Sequence, residues 1–233
     1  MTETRKQFHD ELAAIDDDVV RLGALASEAI EAGTAALLGA DLALVEKVVA
    51  GDRVLDEVMH SVEQRTFELL GLQQPMAVDL RMLVTVLRVV HEIERVGDLM
   101  VKVAKAARRL YPVELPPRVR GLIDRMRAQA RAQLDLAVDA FATRDVARAS
   151  ALDDMDDVMD ELQKELFQAI FALHAPDDAS LQRAVQVALV GRYFERIGDH
   201  AATVAERIRF MVTGEFPSPG AGPPSDSFAG SAP

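Results

Sequence analysis

The sequence predicts an all-α protein of two tandem antiparallel three-helix bundles, followed by a disordered C-terminal tail. Proline is absent before Pro75 and between Pro117 and Pro176, and these stretches are free to form long helices because proline breaks helix interiors. Apolar residues recur at alternating steps of four and three, as in the run that begins with Met82 and Val86, which is the period of an amphipathic helix. No segment alternates apolar and polar residues as a half-buried strand does. In addition, the two halves of the chain repeat one another.

The first three predicted helices span residues 4–38, 41–70 and 76–110. Thr4 and Gln7 form the capping-box pattern that opens the first helix, and Asp41 is an N-cap residue for the second. Gly71 suits the left-handed conformation that ends many helices. Pro75 stands where the first turn of the third helix begins, a position that proline favours.

The last three predicted helices span residues 117–142, 145–174 and 177–213. Pro117 and Pro176 stand at first turns, Asp145 is an N-cap residue, and Gly214 ends the last helix. From Gly214 onward the chain consists mainly of Gly, Pro, Ser and Ala. Such a segment cannot bury enough apolar surface to offset the entropy of ordering it, so we expect it to be disordered.

Composition and charge narrow the classes of function. The chain has 233 residues with a net charge of −12, which repels nucleic-acid phosphates. It has no cysteine, which excludes disulfides, zinc–thiolate sites and thiol catalysis. Its N-terminus lacks the apolar stretch of a signal peptide, and the most apolar run, residues 82–90, is shorter than the ~20 residues of a membrane helix. We therefore expect a cytoplasmic protein that does not bind nucleic acid.

The internal repeat divides the chain into two similar units. A shift of 101 residues superimposes the third predicted helix on the sixth, and a shift of 104 residues superimposes the second on the fifth. Charged and glycine positions match as well as apolar ones: Glu94/Glu195, Gly97/Gly198, Asp98/Asp199, Asp52/Asp156 and Asp56/Asp160. The pattern indicates a tandem duplication, with three-helix units at residues 1–113 and 114–213 and the tail at residues 214–233.

Each half carries two pairs of acidic residues at a spacing of four. The pairs are Asp52/Asp56 and Glu94/Asp98 in the first half, and Asp156/Asp160 and Glu195/Asp199 in the second. This spacing places both carboxylates of a pair on one helix face, where like charges destabilise the helix by about 0.2–0.5 kcal/mol. The acids also interrupt apolar stripes, and a buried unpaired carboxylate costs several kcal/mol. Each acid must therefore be exposed, paired with arginine or bound to a metal ion.

A set of carboxylates without cysteine or histidine favours hard cations such as magnesium, calcium, manganese and iron. The set lacks the Glu-x-x-His spacing of ferritin-type di-iron sites. We interpret the eight acids as candidate ligands of a divalent or iron cation, with iron, manganese, magnesium and zinc as the candidates. The alternative is that the acids face solvent or pair with nearby arginines, namely Arg53, Arg95 and Arg196. Nearby histidines are either peripheral ligands or ordinary polar residues, namely His60, His91 and His200. The sequence offers no catalytic residue and no site for an organic cofactor.

Three blocks of sequence carry a resemblance to a known family. The first half contains Gln73-Gln74-Pro75-Met76-Ala77-Val78-Asp79-Leu80-Arg81 and then Glu94-Arg95-Val96-Gly97-Asp98. The second half contains Phe194-Glu195-Arg196-Ile197-Gly198-Asp199-His200. Together they resemble the PhoU family of bacterial phosphate-transport accessory and signalling proteins, over about residues 4–213 and with the same duplication. The second half lacks a counterpart of the Pro-x-Ala-x-Asp-Leu-Arg block.

The resemblance implies a function and a set of partners. PhoU-like proteins are pairs of three-helix bundles, often dimeric, and are not established enzymes. They restrain the histidine kinase of the phosphate-starvation response when phosphate is plentiful, and link it to the ATPase subunit of the high-affinity phosphate importer. Some bind metal clusters through an acidic motif that corresponds here to the eight acids. The expected partners are therefore the importer ATPase subunit, the sensor histidine kinase and a second copy of this chain, with the membrane reached only through partners.

Other functions remain open on the sequence alone. One is a PhoU-like accessory role for another phosphate transporter. Another is a metal-binding helical bundle with a hydrolase or storage role, against which the missing Glu-x-x-His and nucleophile patterns argue. The last is a helical scaffold without metal.

Overall fold

The computed structural model describes residues 2–73, 75–173 and 177–215, which form six helices. The helices are α1 (Thr2–Leu38), α2 (Leu42–Gln73), α3 (Val78–Leu110), α4 (Pro117–Thr143), α5 (Val146–Phe171) and α6 (Asp178–Thr213). The described ranges contain no strand. The predicted fold class and the six predicted helices are confirmed.

Several predicted helix ends are also confirmed. The side chain of Asp145 accepts hydrogen bonds from the backbone N–H groups of Ala147 and Arg148, at 2.9 and 3.1 Å. Pro117 is the first residue of α4. Gly214 follows α6 with φ 79°, which is the left-handed conformation that glycine adopts without strain. Local sequence signals therefore set these boundaries.

Other predicted ends are wrong. Gly71 lies inside α2, which continues to Gln73, because a single glycine weakens a helix by about 1 kcal/mol without ending it. Ala77 instead has a positive φ of 50° before α3, and Pro75 lies ahead of that helix rather than in its first turn. Helix α5 ends at Phe171, earlier than predicted.

The remaining end predictions fall at the margins of the described chain. Helix α1 begins at Thr2, so Thr4 does not open it. Helix α6 is capped by Asp177, whose side chain accepts a hydrogen bond from the N–H of Ser180 at 2.7 Å. Pro176 and residues 216–233, which make up most of the predicted tail, lie outside the described residues.

The helices pack as two bundles that share one core. Helices α1, α2 and α3 contact one another, and so do α4, α5 and α6, while α3 packs on α6 and α1 on α4. Buried side chains of all six helices form one continuous apolar cluster. The division of the chain at residue 113 stays a prediction. In the part of the chain that the structure describes, no helix has an apolar stretch of the length needed to cross a membrane.

Helices α3 and α6 are antiparallel and form the centre of the molecule. Near the start of α3, Arg81 Nε donates to the carbonyl oxygen of Met211, at 3.3 Å. Near its end, Arg109 Nη1 donates to Gln186 Oε1 at 3.0 Å. The contact between them is mostly apolar, with Val86, Val89 and other small or β-branched residues fully buried. The turn between α2 and α3 and the turn between α5 and α6 therefore lie at opposite ends of the molecule.

Candidate functional site

Helices α2 and α3 bring together the four acids predicted in the first half. Asp52, Asp56, Glu94 and Asp98 are all partly buried and form what we call the first acidic cluster. Burial raises the pKa of Asp52, and repulsion from Asp56 and Asp98 raises it further. Burial also raises the pKa of Glu94, as does Asp98, with a partial offset from Arg95. The two acids of each pair lie on one helix face, as their spacing predicts, and the structure places the pairs of α2 and α3 opposite each other.

Helices α5 and α6 bring together the four acids predicted in the second half. Asp156, Asp160, Glu195 and Asp199 are also partly buried and form the second acidic cluster. Burial, followed by repulsion from Asp199, raises the pKa of Glu195 to about 7. The same two causes raise the pKa of Asp156 to about 6. Burial raises the pKa of Asp199, although Arg192 partly lowers it. The cluster therefore holds negative charge that its surroundings compensate incompletely.

A buried glycine lies beside each cluster, where two helices approach closely. A Cβ atom on Gly97 would lie 3.1 Å from Leu55 Cδ1 and 3.2 Å from Asp52 Oδ1. A Cβ atom on Gly198 would lie 3.1 Å from Asp156 Oδ1 and 3.2 Å from both amide atoms of Gln133. Any larger residue would displace these side chains. This close approach is the physical reason for a glycine inside each helix, where it costs about 1 kcal/mol against alanine.

Arginine neutralises the two clusters to different degrees. Arg95 pairs with both acids of its helix, at 3.7 Å from Glu94 Oε2 and 3.1 Å from Asp98 Oδ2. In the second cluster Arg192 pairs with Glu195 through Oε1. Of the three arginines proposed as partners from the sequence, only Arg95 forms such a pair within the described chain.

The other two proposed arginines act elsewhere. Arg53 pairs with Glu57, at 3.4 Å, rather than with a cluster acid. Among the described residues Arg196 forms no such pair, and it is the last of the causes that shift the pKa of Asp199, after burial, Arg192, His200 and Asp160. The partner Arg192 was missed, although its position one turn before Glu195 is a visible signal.

The three nearby histidines make hydrogen bonds outside the carboxylates of the clusters. His60 Nδ1 lies 2.8 Å from the main-chain oxygen of Asp56. His91 Nε2 lies 3.2 Å from Glu63 Oε1, and His200 Nδ1 lies 2.7 Å from Glu92 Oε2 across the α3–α6 contact. These contacts favour the interpretation of the histidines as ordinary polar residues.

The chemistry of the second cluster fits a hard cation. Its donors are carboxylate oxygens, which such cations prefer, and Glu195 Oε2 is buried with no hydrogen-bond partner in the part of the chain that the structure describes. Across the residues that the structure covers, no three Asp, Glu or His side chains converge closely enough to hold a metal ion as they stand. Ligation would therefore require rotation of the carboxylates. The assignment of the eight acids as metal ligands stays a prediction.

Gln133 is the residue that sequence reasoning missed at this site. It is 0% exposed, on α4, and among the described residues neither its Nε2 nor its Oε1 has a hydrogen-bond partner. Its amide lies beside the Asp156 carboxylate and lowers the pKa of that group somewhat. The available signal was its place in the apolar stripe that includes Ala130 and Ala137, where a polar amide is uncommon.

The fold and the site define a duplicated helical-bundle protein with one acidic cluster in each bundle. Comparison with known sequences then identifies the family. The sequence model of the PhoU domain matches residues 19–107 and again residues 123–208. The chain belongs to the PhoU family of phosphate-transport accessory proteins.

Individual relatives match over nearly the whole chain. The phosphate-specific transport system accessory protein PhoU homolog 1 of Mycobacterium leprae is 36% identical over 214 residues, which cover 91% of this chain and 96% of the relative. The PhoU homolog of Caulobacter vibrioides is 34% identical, with coverage of 92% and 94%. These names describe accessory proteins rather than enzymes.

Solved structures have the same fold. The crystal structure of PhoU from Pseudomonas aeruginosa matches with a TM-score of 0.83 and 27% identity, covering 89% of this chain and 100% of the other. The phosphate transport system regulatory protein PhoU from Streptococcus pneumoniae matches with a TM-score of 0.82 and 25% identity, covering 90% and 98%.

Proposed function

We propose that this chain is a cytoplasmic negative regulator of phosphate-starvation signalling, which couples a high-affinity phosphate importer to a sensor histidine kinase. The observation that carries the proposal is the match of about nine-tenths of the chain to phosphate-transport accessory proteins. The Streptococcus pneumoniae relative is named a regulatory protein of that system. The importer's ATPase subunit is one partner and the kinase is the other, and the chain works as a homodimer.

Two separated apolar surfaces support an adaptor role. At the turn between α2 and α3, Leu72 and Met76 are each 79% exposed, and we call this surface the first tip. At the turn between α5 and α6, Phe171 is 84% exposed, and Leu173 is also exposed; this surface is the second tip. Helix α3 has 33 residues and separates the tips by about 50 Å. An adaptor needs two surfaces that two partners can occupy together.

Deletion of the gene tests the regulatory role. In phosphate-rich medium, the deletion strain should express phosphate-starvation genes at the level that wild type reaches only under starvation. A plasmid copy of the gene should restore repression. Starvation genes that stay silent in the deletion strain would contradict the proposal.

Binding assays test the partners and separate the nearest alternative. The purified chain should bind the importer's ATPase subunit and the cytoplasmic part of the kinase. The double substitution Leu72→Ser/Met76→Ser should weaken binding to one of these partners, and Phe171→Ser should weaken binding to the other. Binding to a different phosphate transporter alone would favour an accessory role there. Light scattering tests the homodimer.

We propose in addition that the acidic clusters take up a divalent or iron cation. The unpartnered, buried oxygen of Glu195 and the raised pKa values of Asp156 and Glu195 support this proposal, because a cation would compensate the charge that arginine leaves. The residues that would hold the ion are the eight acids of the two clusters. The bound ion would supply positive charge that locks each pair of helices together.

Elemental analysis of the full chain tests this second proposal. Protein purified without chelator should contain iron, manganese, magnesium or zinc, and Glu195→Gln/Asp199→Asn should remove the share held by the second cluster. Glu94→Gln/Asp98→Asn is the matched variant for the first cluster. Turnover of phosphoesters by the loaded protein, or uptake of many ions per chain, would favour the hydrolase or storage alternative.

A further inference from the structure

We infer that the two acidic clusters are inequivalent cation sites, because the Gln133 carboxamide oxygen serves the second cluster as a neutral ligand that the first cluster lacks. This inference rests on the proposed uptake of a cation. It concerns a residue outside the eight acids, on a helix that contributes none of them.

The position of Gln133 carries the inference. The Cβ position of Gly198 lies 3.2 Å from both amide atoms of Gln133 and 3.1 Å from Asp156 Oδ1. The amide of Gln133 and the carboxylate of Asp156 therefore lie close together beside Gly198 of α6. Gln133 is fully buried, and within the described residues neither amide atom makes a hydrogen bond, although the amide lies close enough to Asp156 to lower its pKa.

An unsatisfied buried amide requires an explanation in a folded protein. Burial of a polar group without a hydrogen bond is unfavourable, and an apolar residue of the same size would fill the space without that cost. A cation among the carboxylates would satisfy the amide, since the carbonyl oxygens of Asn and Gln are ordinary ligands of hard cations. Glu195 Oε2, also buried without a partner, would be satisfied in the same way.

The internal repeat supplies a natural comparison for Gln133. The shift of 104 residues that relates Asp41 to Asp145 places Ala29 of α1 opposite Gln133 of α4. Ala29 and Gly97 line the same cleft of about 230 Å³ beside Asp52, as Gln133 lies against Gly198. The first cluster therefore has a mostly apolar cleft where the second has an amide.

Charge compensation differs in the same direction. In the first cluster Arg95 contacts both Glu94 and Asp98. In the second cluster Arg192 contacts only one oxygen of Glu195 and leaves the other unpartnered. The second cluster thus has one more neutral donor and less compensation by arginine. It is the tighter of the two sites for a hard cation.

The test is an isothermal calorimetric titration of manganese(II) into the full chain after a chelator has removed bound metal. Wild type should show two classes of site, and Glu195→Gln/Asp199→Asn should remove the tighter one while Glu94→Gln/Asp98→Asn removes the weaker. Gln133→Leu keeps the size of the side chain and removes the donor. It should weaken the tighter site about tenfold or more, leave the weaker site unchanged, and raise the melting temperature of the metal-free chain.

A converse substitution keeps the inference testable if Gln133→Leu fails to fold. Ala29→Gln places an amide in the cleft beside the first cluster and should tighten manganese binding there. Its matched control is Ala29→Leu, which fills the cleft without a donor and should leave the affinity unchanged.

The outcomes separate this inference from the proposal on which it rests. Two sites of equal affinity that Gln133→Leu and Ala29→Gln both leave unchanged would overturn the inference and leave cation uptake standing. Failure of wild type to bind manganese at either cluster would overturn both. A loss of affinity at the two sites together on Gln133→Leu would show a general effect on folding and would also contradict the inference.

Discussion

The first and second acidic clusters present the same four carboxylates to different surroundings. In the first cluster an arginine contacts two of the acids, and an apolar cleft opens beside the glycine. In the second cluster an arginine contacts one acid, and a buried amide occupies the equivalent place. The acids and the adjoining glycine match between the repeats, while the neighbours that set their electrostatics differ. A duplicated fold can therefore keep a ligand pattern and still change its strength.

Neutralisation of each cluster should give the largest contrast in stability. In metal-free protein, Glu195→Gln/Asp199→Asn should raise the free energy of unfolding by about 1–2 kcal/mol, after allowance for the partial solvent exposure of both acids. Glu94→Gln/Asp98→Asn should raise it by about 0.5 kcal/mol or less, because Arg95 already compensates both acids. Chemical denaturation with a chelator present measures both. Equal increases in the free energy of unfolding would contradict an electrostatic difference between the clusters.

The pH dependence of stability should belong mainly to the second cluster. A carboxyl whose pKa is raised in the folded state binds its proton more tightly there, so the folded state is penalised once that proton is lost. For Glu195 the free energy of unfolding should fall as pH rises from about 4.5 to about 7, by about 1–2 kcal/mol given its partial exposure. Melting curves across this range, with chelator, measure the change.

The control for the pH prediction comes from the other cluster. Glu94→Gln/Asp98→Asn should keep most of the fall between pH 4.5 and 7, and Glu195→Gln/Asp199→Asn should lose most of it. A fall that disappears only when the first cluster is neutralised would reverse the assignment.

Substitution of Gly97 and Gly198 by alanine should affect stability differently, because the packing beside the two clusters differs. Gly97→Ala should be close to neutral, because the helix gains up to about 1 kcal/mol and the end of Leu55 can move into the adjoining cleft. Gly198→Ala should lower the free energy of unfolding by about 1 kcal/mol, because Gln133 and Asp156 are enclosed. Thermal unfolding measures the pair. If Gly97→Ala is the more damaging, the cleft does not provide the room that the structure indicates.

Removal of the equivalent caps should give the smallest contrast. Asp145 accepts two backbone hydrogen bonds at the start of α5, whereas Asp41 accepts one, from Leu44 at 3.0 Å, at the start of α2. Asp145→Ala should therefore cost about 1 kcal/mol and Asp41→Ala about 0.5 kcal/mol. Asn in place of either residue is the control and should restore most of the loss. Identical losses at the two positions would show that the second hydrogen bond adds nothing.

The helices and the meeting of the acids were predictable because they depend on local signals and on the repeat. A spacing of four fixes a helix face, and the duplication requires equivalent faces to meet in both halves. The contrast between Ala29 and Gln133 was not predictable, because their significance depends on which side chains face them across another helix. The shift of 101 residues places Arg95 opposite Arg196, and Arg192 opposite His91. The repeat therefore does not predict that Arg95 in one half and Arg192 in the other contact the cluster acids. The prediction that Gly71 ends α2 was wrong, because a glycine ends a helix only when the backbone after it leaves the helical conformation.

The apolar contact between α3 and α6 has a consequence for the history of the chain. Each of these helices buries residues such as Val89 and Val190 in one shared core, so a single repeat on its own would leave that face open to water. Such a chain would need a second copy, joined about a twofold axis, to cover it. Fusion of the two copies makes that association intramolecular and independent of concentration. Fusion also allows the two repeats to differ in sequence, whereas the two subunits of a homodimer are always identical.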